Sequence, residues 1–373
     1  MFLPIIITFI YLLFFLWLLS GFDNLYNKET KISELKNTFI SVIISVKNEE
    51  LNLDLLINAL INQNFPYDAF EIIIVNDGSK DGTLEILKSY EKKVKNLKVI
   101  NISNTPKDWT NKKWALQNAI NNSKGDIILQ TDGDCVPQKN WILSMVAPFD
   151  NPEVGFVTGF TPLDKGSDSF IDKLLFLESM AQDSFTAACM GKQLTVSCVG
   201  RSISFRKKYF DKIEGYANIK NIESGDDDLL LHHIIHSNSC RSKYISLKDS
   251  YVYSRSPKTI KEFINQRLRF ASKGILYYNL FFISKELKLI LPFLYIANLM
   301  VIISLIFFIN NPIGIYIIPY IFKTSADFLL VYIFNNILFT KWDTVSFIIL
   351  SIFHPFYIIL FSSIAPFKKI YWK

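Results

Sequence analysis

A chain of 373 residues, half of them hydrophobic and 15% aromatic, is long enough for about two domains and is neither disordered nor collagen-like. Its formal charge of +6 hides a division. Residues 1–22 carry no Asp, Glu, Lys or Arg and residues 289–373 carry five Lys and two Asp, which leaves 35 of the 40 basic and 32 of the 34 acidic residues for 23–288. That near balance argues against a dedicated nucleic-acid binder, and the uncharged ends argue against a fully soluble protein.

The opening run, residues 1–22, is long enough as a helix to cross a hydrocarbon core of about 30 Å. It lacks the basic start and small-residue cleavage site of a signal peptide, so a retained anchor is expected. Lys28, Lys31 and Lys36 follow at once, and the positive-inside rule places the next domain in the cytoplasm.

The middle of the chain alternates between two periods. Phe39–Val46, Glu71–Asp77, Lys98–Ser103 and Asp126–Thr131 read as buried strands. Glu49–Leu60, Thr83–Tyr90 and Asn111–Asn121 read as the helices between them. Such alternation implies an α/β fold with a mostly parallel sheet, which binds ligands at the carboxyl ends of its strands. Asp77, Asp132 and Asp134 fall at such ends and are expected in one crevice. Further on, Phe156–Thr161 and Ser202–Arg206 read as strands and Lys173–Ala188 as a helix. Ser224–Asp228 reads as a helix start running on through His236, and Lys258–Tyr277 as an amphipathic helix leading to the membrane.

Asp132 and Asp134, two hard carboxylates at the end of a buried strand, suit Mg²⁺ or Mn²⁺ carrying substrate phosphates. Among Asp226, Asp227 and Asp228, one carboxylate is expected to cap a helix and another to act as a general base. Gln266, Arg269 and Phe270, spaced i, i+3 and i+4, share a helix face; taken alone, they read as a basic amphipathic helix on anionic lipid. His232, His233 and His236 lack a Glu base and a third ligand and read as a polar helix face. The four cysteines have no C-x-x-C spacing, which fits a reducing compartment without disulfides. No P-loop, G-x-G-x-x-G or G-x-S-x-G motif is present.

After Lys288 the chain is uncharged to Lys323. Asn310, Asn311 and Pro312 divide that stretch into two candidate spans, and Thr344–Phe367 is a third. One plus three spans would put the C-terminus outside, while Lys368 and Lys369 prefer the inside. The segment holding Lys323 and Asp327, an i,i+4 pair, is the candidate for an interfacial or re-entrant helix.

The order of these pieces, over residues 38–275, resembles the membrane-bound family 2 glycosyltransferases. SVIISVKNEE (41–50), EIIIVNDGSKDGT (71–83), NKKWALQ (111–117), LQTDGDC (129–135), GRSISFRKKYF (200–210), SGDDDLLLH (224–232) and QRLRF (266–270) are similar to the family's blocks in sequence order. The last is similar to Q-x-x-R-W, with Phe270 in place of Trp. The resemblance implies a GT-A domain with a Rossmann-like mixed sheet (38–275), behind an anchor (1–22) and before an amphipathic and transmembrane region (276–373). It implies that Glu49, Asp77, Lys112, Asp132 and Arg269 serve the nucleotide sugar, with Asp77 on the uracil. Asp132 and Asp134 would hold Mg²⁺ or Mn²⁺, Gln266 and Phe270 would line the acceptor site, and Asp227 or Asp226 would be the base, with Asp227 preferred.

The function this implies is inverting transfer of a sugar, expected from UDP, to a lipid or lipid-linked glycan at the cytoplasmic membrane face. A processive polysaccharide synthase of the cellulose, hyaluronan or poly-GlcNAc type is the alternative, and a non-catalytic membrane scaffold with a decayed transferase domain is an alternative of another class. Abundant Asn, Ile and Lys point to an AT-rich, bacterial genome, and the resemblance implies a role in cell-envelope glycan. The partners implied are a nucleotide sugar, the acceptor and the membrane, with no nucleic acid.

Overall fold

The computed structural model describes residues 2–31, 38–164 and 169–368; Lys36 and Lys369, used above for orientation, lie outside them. In chain order the elements begin with α1 (Phe2–Leu19), β1 (Ile40–Val46), α2 (Leu53–Ile61), β2 (Phe70–Asp77), α3 (Thr83–Glu91), β3 (Leu97–Ile102) and α4 (Asn111–Asn121). Then come β4 (Ile127–Asp132), β5 (Cys135–Pro137), α5 (Trp141–Val146), β6 (Val154–Gly159), β7 (Leu163–Asp164), α6 (Phe170–Gly191), β8 (Ile203–Arg206) and α7 (Lys207–Lys212). The remainder is α8 (Asp228–Asn238), β9 (Arg241–Ile245), β10 (Val252–Arg255), α9 (Ile260–Ala271), α10 (Leu276–Asn279), α11 (Lys285–Asn310), α12 (Ile318–Ile337) and α13 (Thr344–Ile364).

These elements form two compact units. One takes in Tyr26–Asp164 and Ser197–Arg255, the other Met1–Leu25, Lys165–Val196 and Ser256–Lys373. The division is not sequential: α6 and α9, which chain order puts inside 38–275, pack with the apolar helices.

The polar unit is built on a seven-stranded sheet of order β3-β2-β1-β4-β8-β6-β9. The first four strands are parallel, β8 runs antiparallel to both its neighbours, and β9 returns parallel to β6. The strand order turns back between β1 and β4. A parallel strand is covered on both faces, which is why β1, β2 and β4 are continuous apolar runs rather than alternating ones. Leu53, Leu56, Ile57 and Leu60 give α2 one apolar stripe at i, i+3, i+4 and i+7, all fully buried in the core beside β1 and β2. Fully burying each such side chain contributes about 1.5–3 kcal/mol. A small second sheet, β5-β10-β7, escaped the sequence reading, as did α5, α7 and β9.

Two expected helices are corrected. The helix expected from Ser224 starts at Asp228, because Gly225 has φ +88°, which a right-handed helix cannot contain. The helix expected over Lys258–Tyr277 breaks into α9 and α10 at Ser272–Gly274, where Ser272 Oγ donates to the Arg269 carbonyl at 2.8 Å and glycine weakens propagation.

In the apolar unit, four helical stretches are long and apolar enough to cross a membrane: Phe2–Asn24, Lys285–Asn310, Gly314–Ile337 and Thr344–Phe367. Lys323 and Asp327 do pair, at 2.6 Å. Lys323 is fully buried and its ammonium also meets His354 Nδ1 at 2.7 Å, while the Tyr11 hydroxyl donates to Asp327 at 2.7 Å. One polar knot therefore joins α1, α12 and α13, as a low-dielectric surrounding requires of charged groups.

The histidine expectation is also corrected. His232 and His233 are buried in α8 rather than on a polar face, and burial followed by the charge of His236 pushes His233 down to about 4. All four cysteines are free and buried.

Candidate active site

Glu49, Asp77, Asp132 and Asp134 lie at or just after the carboxyl ends of β1, β2 and β4. Ser45 of β1 stands opposite Val75 of β2 on one side and Asp132 of β4 on the other. Asp77 and Asp132 therefore lie two strands apart, about 10 Å at ordinary strand spacing, astride the point where the strand order reverses. A crevice at such a point is where open α/β sheets take their ligands.

The turn after β1 is latched to the turn after β2. Asn48 sits at φ +56°, a region asparagine tolerates. Its side chain accepts from the Lys80 amide at 2.8 Å, and its own amide donates to Ser79 Oγ at 3.0 Å. The Glu49 amide donates to Thr83 Oγ1 at 2.8 Å, and the Asn52 side chain donates to the Glu49 carboxylate. Glu49 packs against the turn of β4: a Cβ on Gly133 would lie 2.8 Å from Val46 Cγ1 and 3.1 Å from Glu49 Cγ. Only glycine lets the chain pass between Asp132 and Asp134 so close to β1.

Burial shifts these carboxylates. It raises Glu49, against the Asn52 hydrogen bond, and Asp134 and Asp132 raise it further. It raises Asp134 too, with Asp132 adding to the rise and Arg201 opposing it. Asp77 is raised by burial and partly restored by Lys47, 3.4 Å away.

Lys112 joins two distant parts of the chain. It stands in the first turn of α4, where the helix dipole disfavours a cation. Its ammonium nevertheless lies 2.9 Å from Asp132 Oδ1 and 2.8 Å from Asp226 Oδ2. Burial acts to lower its pKa, but the two carboxylates outweigh burial and hold the ammonium above its ordinary value. Its neighbour Lys113 makes this possible. Lys113 is buried and donates to the carbonyls of Ile222 and, at 2.8 Å, Ser224, tying the loop before Asp226 to α4.

Asp226 and Asp227 differ in their surroundings. Asp226 is buried; besides Lys112 it meets Gln130 Nε2 at 3.5 Å, and its carbonyl accepts from the Tyr216 hydroxyl at 3.1 Å. Asp227 is the N-cap of α8. Its carboxylate accepts from the Asp228 amide at 2.7 Å and the Gly200 amide at 3.0 Å. Asp228 is buried and accepts from the Leu229 amide at 2.9 Å.

Glu49, Asp132, Asp134, Lys112 and Asp226 are thus brought together, with Asp77 on the same edge of the sheet. Sequence reasoning missed Lys47, Lys113, Arg201, Gln130 and Tyr216. The doubled lysine of NKKWALQ and the arginine after Gly200 were the available signals.

Gln266, Arg269 and Phe270 lie on α9, in the apolar unit. Arg269 Cζ stands 5.6 Å from the centre of the Phe270 ring, which is partly exposed. The Gln266 Oε1 atom is buried and has no hydrogen-bond donor among the described residues.

Ligand atoms of Asp132, Asp134 and Cys135 all lie within 4.8 Å of one another. Burial and the two carboxylates push the Cys135 thiol up, so the ready donors are the carboxylate oxygens, a hard set that fits Mg²⁺ or Mn²⁺. A cation there would also relieve the mutual repulsion that raises Asp134.

Residues 41–214 match the model of the family described as Glycosyl transferase family 2. Over 296 residues the chain is 24% identical to a probable glycosyltransferase, YdaM, of Bacillus subtilis, covering 77% of this chain and 69% of that one. Over 135 residues it is 29% identical to a beta-monoglucosyldiacylglycerol synthase of Trichormus variabilis, covering 36% of this chain and 28% of the relative. Among solved structures, a mannosyltransferase of Pyrobaculum calidifontis, in complex with GDP-Man and Mn²⁺, superposes with a TM-score of 0.58 at 15% identity. It covers 98% of this chain and 95% of its own, a likeness of fold.

Proposed function

We propose, from the match of residues 41–214 to glycosyl transferase family 2 and from the GT-A fold, that the chain moves a sugar from a nucleotide donor, UDP-linked in our reading, to a hydroxyl of a lipid or lipid-linked glycan. The observation that carries the proposal is Lys112 bridging Asp132 and Asp226 where the strand order reverses. A diphosphate entering there meets a cation already placed, and the carboxylate it releases is free to act on the acceptor.

In this reading Asp77 and Glu49 seat the nucleoside end, and Lys112 takes over the phosphate charge from Asp132. Asp132 and Asp134 would hold a divalent cation, whose positive charge offsets that on the departing diphosphate; the solved mannosyltransferase carries Mn²⁺. The acceptor oxygen attacks the anomeric carbon, the bond from that carbon to the diphosphate breaks, and configuration inverts. The acceptor proton passes to a carboxylate of the Asp226–Asp227 pair. We favour Asp226, because each oxygen of Asp227 already accepts from a backbone amide and the residue caps α8. Motif position assigns Arg269 to the diphosphate, and Gln266 and Phe270 to the acceptor; the buried, unpartnered Gln266 carbonyl oxygen is ready to accept from a hydroxyl.

Four apolar helices and the lysines after the first, Lys28 and Lys31, support an integral membrane protein with its catalytic part, proposed as residues 38–275, in the cytoplasm. The lipid product named for the Trichormus relative supports a lipid acceptor. The monoglucosyl product in that relative's name favours single addition over processive synthesis. The joined set of Lys112, Asp132 and Asp226 speaks against a decayed scaffold. Mass spectrometry of the product tests this: one added sugar is expected, and a ladder of lengths would make the chain a polymerising synthase.

A further inference from the structure

We propose that Glu178 and Arg267 are a positioning pair for sugar transfer, setting the helix α9 that presents Gln266, Arg269 and Phe270; this rests on the reading of α9 just given. Neither residue belongs to the motif positions from which those roles were drawn. All the groups involved lie in one unit of the chain.

Arg267 is 4% exposed and Glu178 6%. The Arg267 Nη2 atom donates to Glu178 Oε2. The other oxygen of the carboxylate accepts from Gln182 Nε2 at 2.6 Å and from the Tyr357 hydroxyl at 3.1 Å. One carboxylate thus gathers donors from α6, α9 and α13. The guanidinium is fixed on its flat side as well, with Cζ 4.9 Å from the Phe263 ring centre and 5.5 Å from that of Phe270. Phe270 is also the ring on which Arg269 lies, at 5.6 Å. A continuous series of contacts therefore runs from Glu178 through Arg267 to Phe270 and Arg269.

The chemistry chosen is informative. A buried ion pair is a poor device for stability, since well-packed apolar residues of the same volume often serve as well or better. What a planar guanidinium bonded to a carboxylate adds is direction. Rotating α9 would break the Nη2–Oε2 bond, so the pair fixes which residues the helix presents. Arg267 Nε is buried without an acceptor among the described residues, so the guanidinium is oriented by the Glu178 bond and the two rings rather than by satisfying every donor.

The test uses the full chain in detergent or nanodiscs, with rates taken per folded molecule. Glu178→Gln keeps the shape and the acceptor for Tyr357 but removes the charge. It is expected to lower kcat with acceptor about 10- to 100-fold, the penalty of a small misplacement, and to raise the acceptor KM. Affinity for uridine, the nucleoside end assigned to Asp77 and Glu49 in the other unit, should stay within about threefold, a split that general loss of structure would not produce. Arg267→Lys, which keeps the charge without the planar guanidinium, should fall between wild type and Glu178→Gln. Tyr357→Phe leaves the ion pair intact and should lose about threefold in the same direction; it decides the matter if Glu178→Gln does not fold. Wild-type kcat and KM in these variants, whatever their yield, would overturn the inference. Arg269→Ala separates the two failures. If it transfers sugar normally, the reading of α9 falls and this inference with it. If it is impaired while Glu178→Gln is normal, only the positioning role falls.

Discussion

Asp226→Asn is expected to lower sugar transfer by about 10²–10⁴-fold, the usual contribution of a positioned general base. Nucleotide-sugar binding should survive, because the change leaves Lys112 with Asp132 and keeps a side-chain oxygen near it. The informative partner is Asp227→Ser. Serine is a good N-cap, so it retains an acceptor for the first turn of α8 and should cost no more than about 1 kcal/mol of stability. If Asp226 is the base, Asp227→Ser keeps most of its turnover. The reverse pattern, with Asp227→Ser inactive and Asp226→Asn active, would return the role to Asp227, the residue preferred on motif spacing. Rates of transfer to acceptor, with bound nucleotide measured separately, distinguish the two.

Asp134→Asn is expected to have the second large effect. Asp132 is shared with Lys112, so losing it disturbs two functions at once. Asp134 has only the cation role in our reading, and its raised proton affinity comes from burial and from Asp132 beside it. Chelation with EDTA should stop wild-type transfer and Mn²⁺ or Mg²⁺ should restore it. Asp134→Asn should lose about 10²–10³-fold and need far more metal for what remains. The check is a metal titration of transfer rate, paired with Mn²⁺ binding followed by electron paramagnetic resonance. Undiminished activity of the wild type after complete metal removal would remove the cation from the mechanism.

Much of the fold was legible because its core strands are short β-branched runs closed by turn residues. Phe39–Val46 and Glu71–Asp77 as read agree within one residue with β1 and β2, and Asn111–Asn121 is α4 exactly as bounded. The small sheet was not legible. β5, β7 and β10 have two to four residues each, too few to show a period, and they pair residues more than 80 positions apart, Leu163 with Ser254 among them. The break after α9 turned on the ring-free Gly274, whose cost in an amphipathic run is small enough to overlook.

The candidate site divides the same way. The acids at the strand ends were visible because position after a buried strand is a local property. Which aspartate of 226–228 faces the cleft was not, since three identical residues differ only in the path of the loop. That path is set by Gly225 at φ +88° and by Lys113 holding two carbonyls. The pairing of Lys112 with Asp226 spans more than a hundred residues, and nothing in either local sequence announces it.

The central claim is that these carboxylates and Lys112 bind a nucleotide sugar and release its sugar to an acceptor. The direct measurement is a donor panel: membranes containing the chain, each of the common UDP- and GDP-sugars in labelled form, and Mn²⁺. We expect one donor to release nucleoside diphosphate in step with label appearing in lipid or glycan, and Asp226→Asn membranes to do neither. Failure of every donor to bind or turn over, with the protein folded and metal present, would contradict the account.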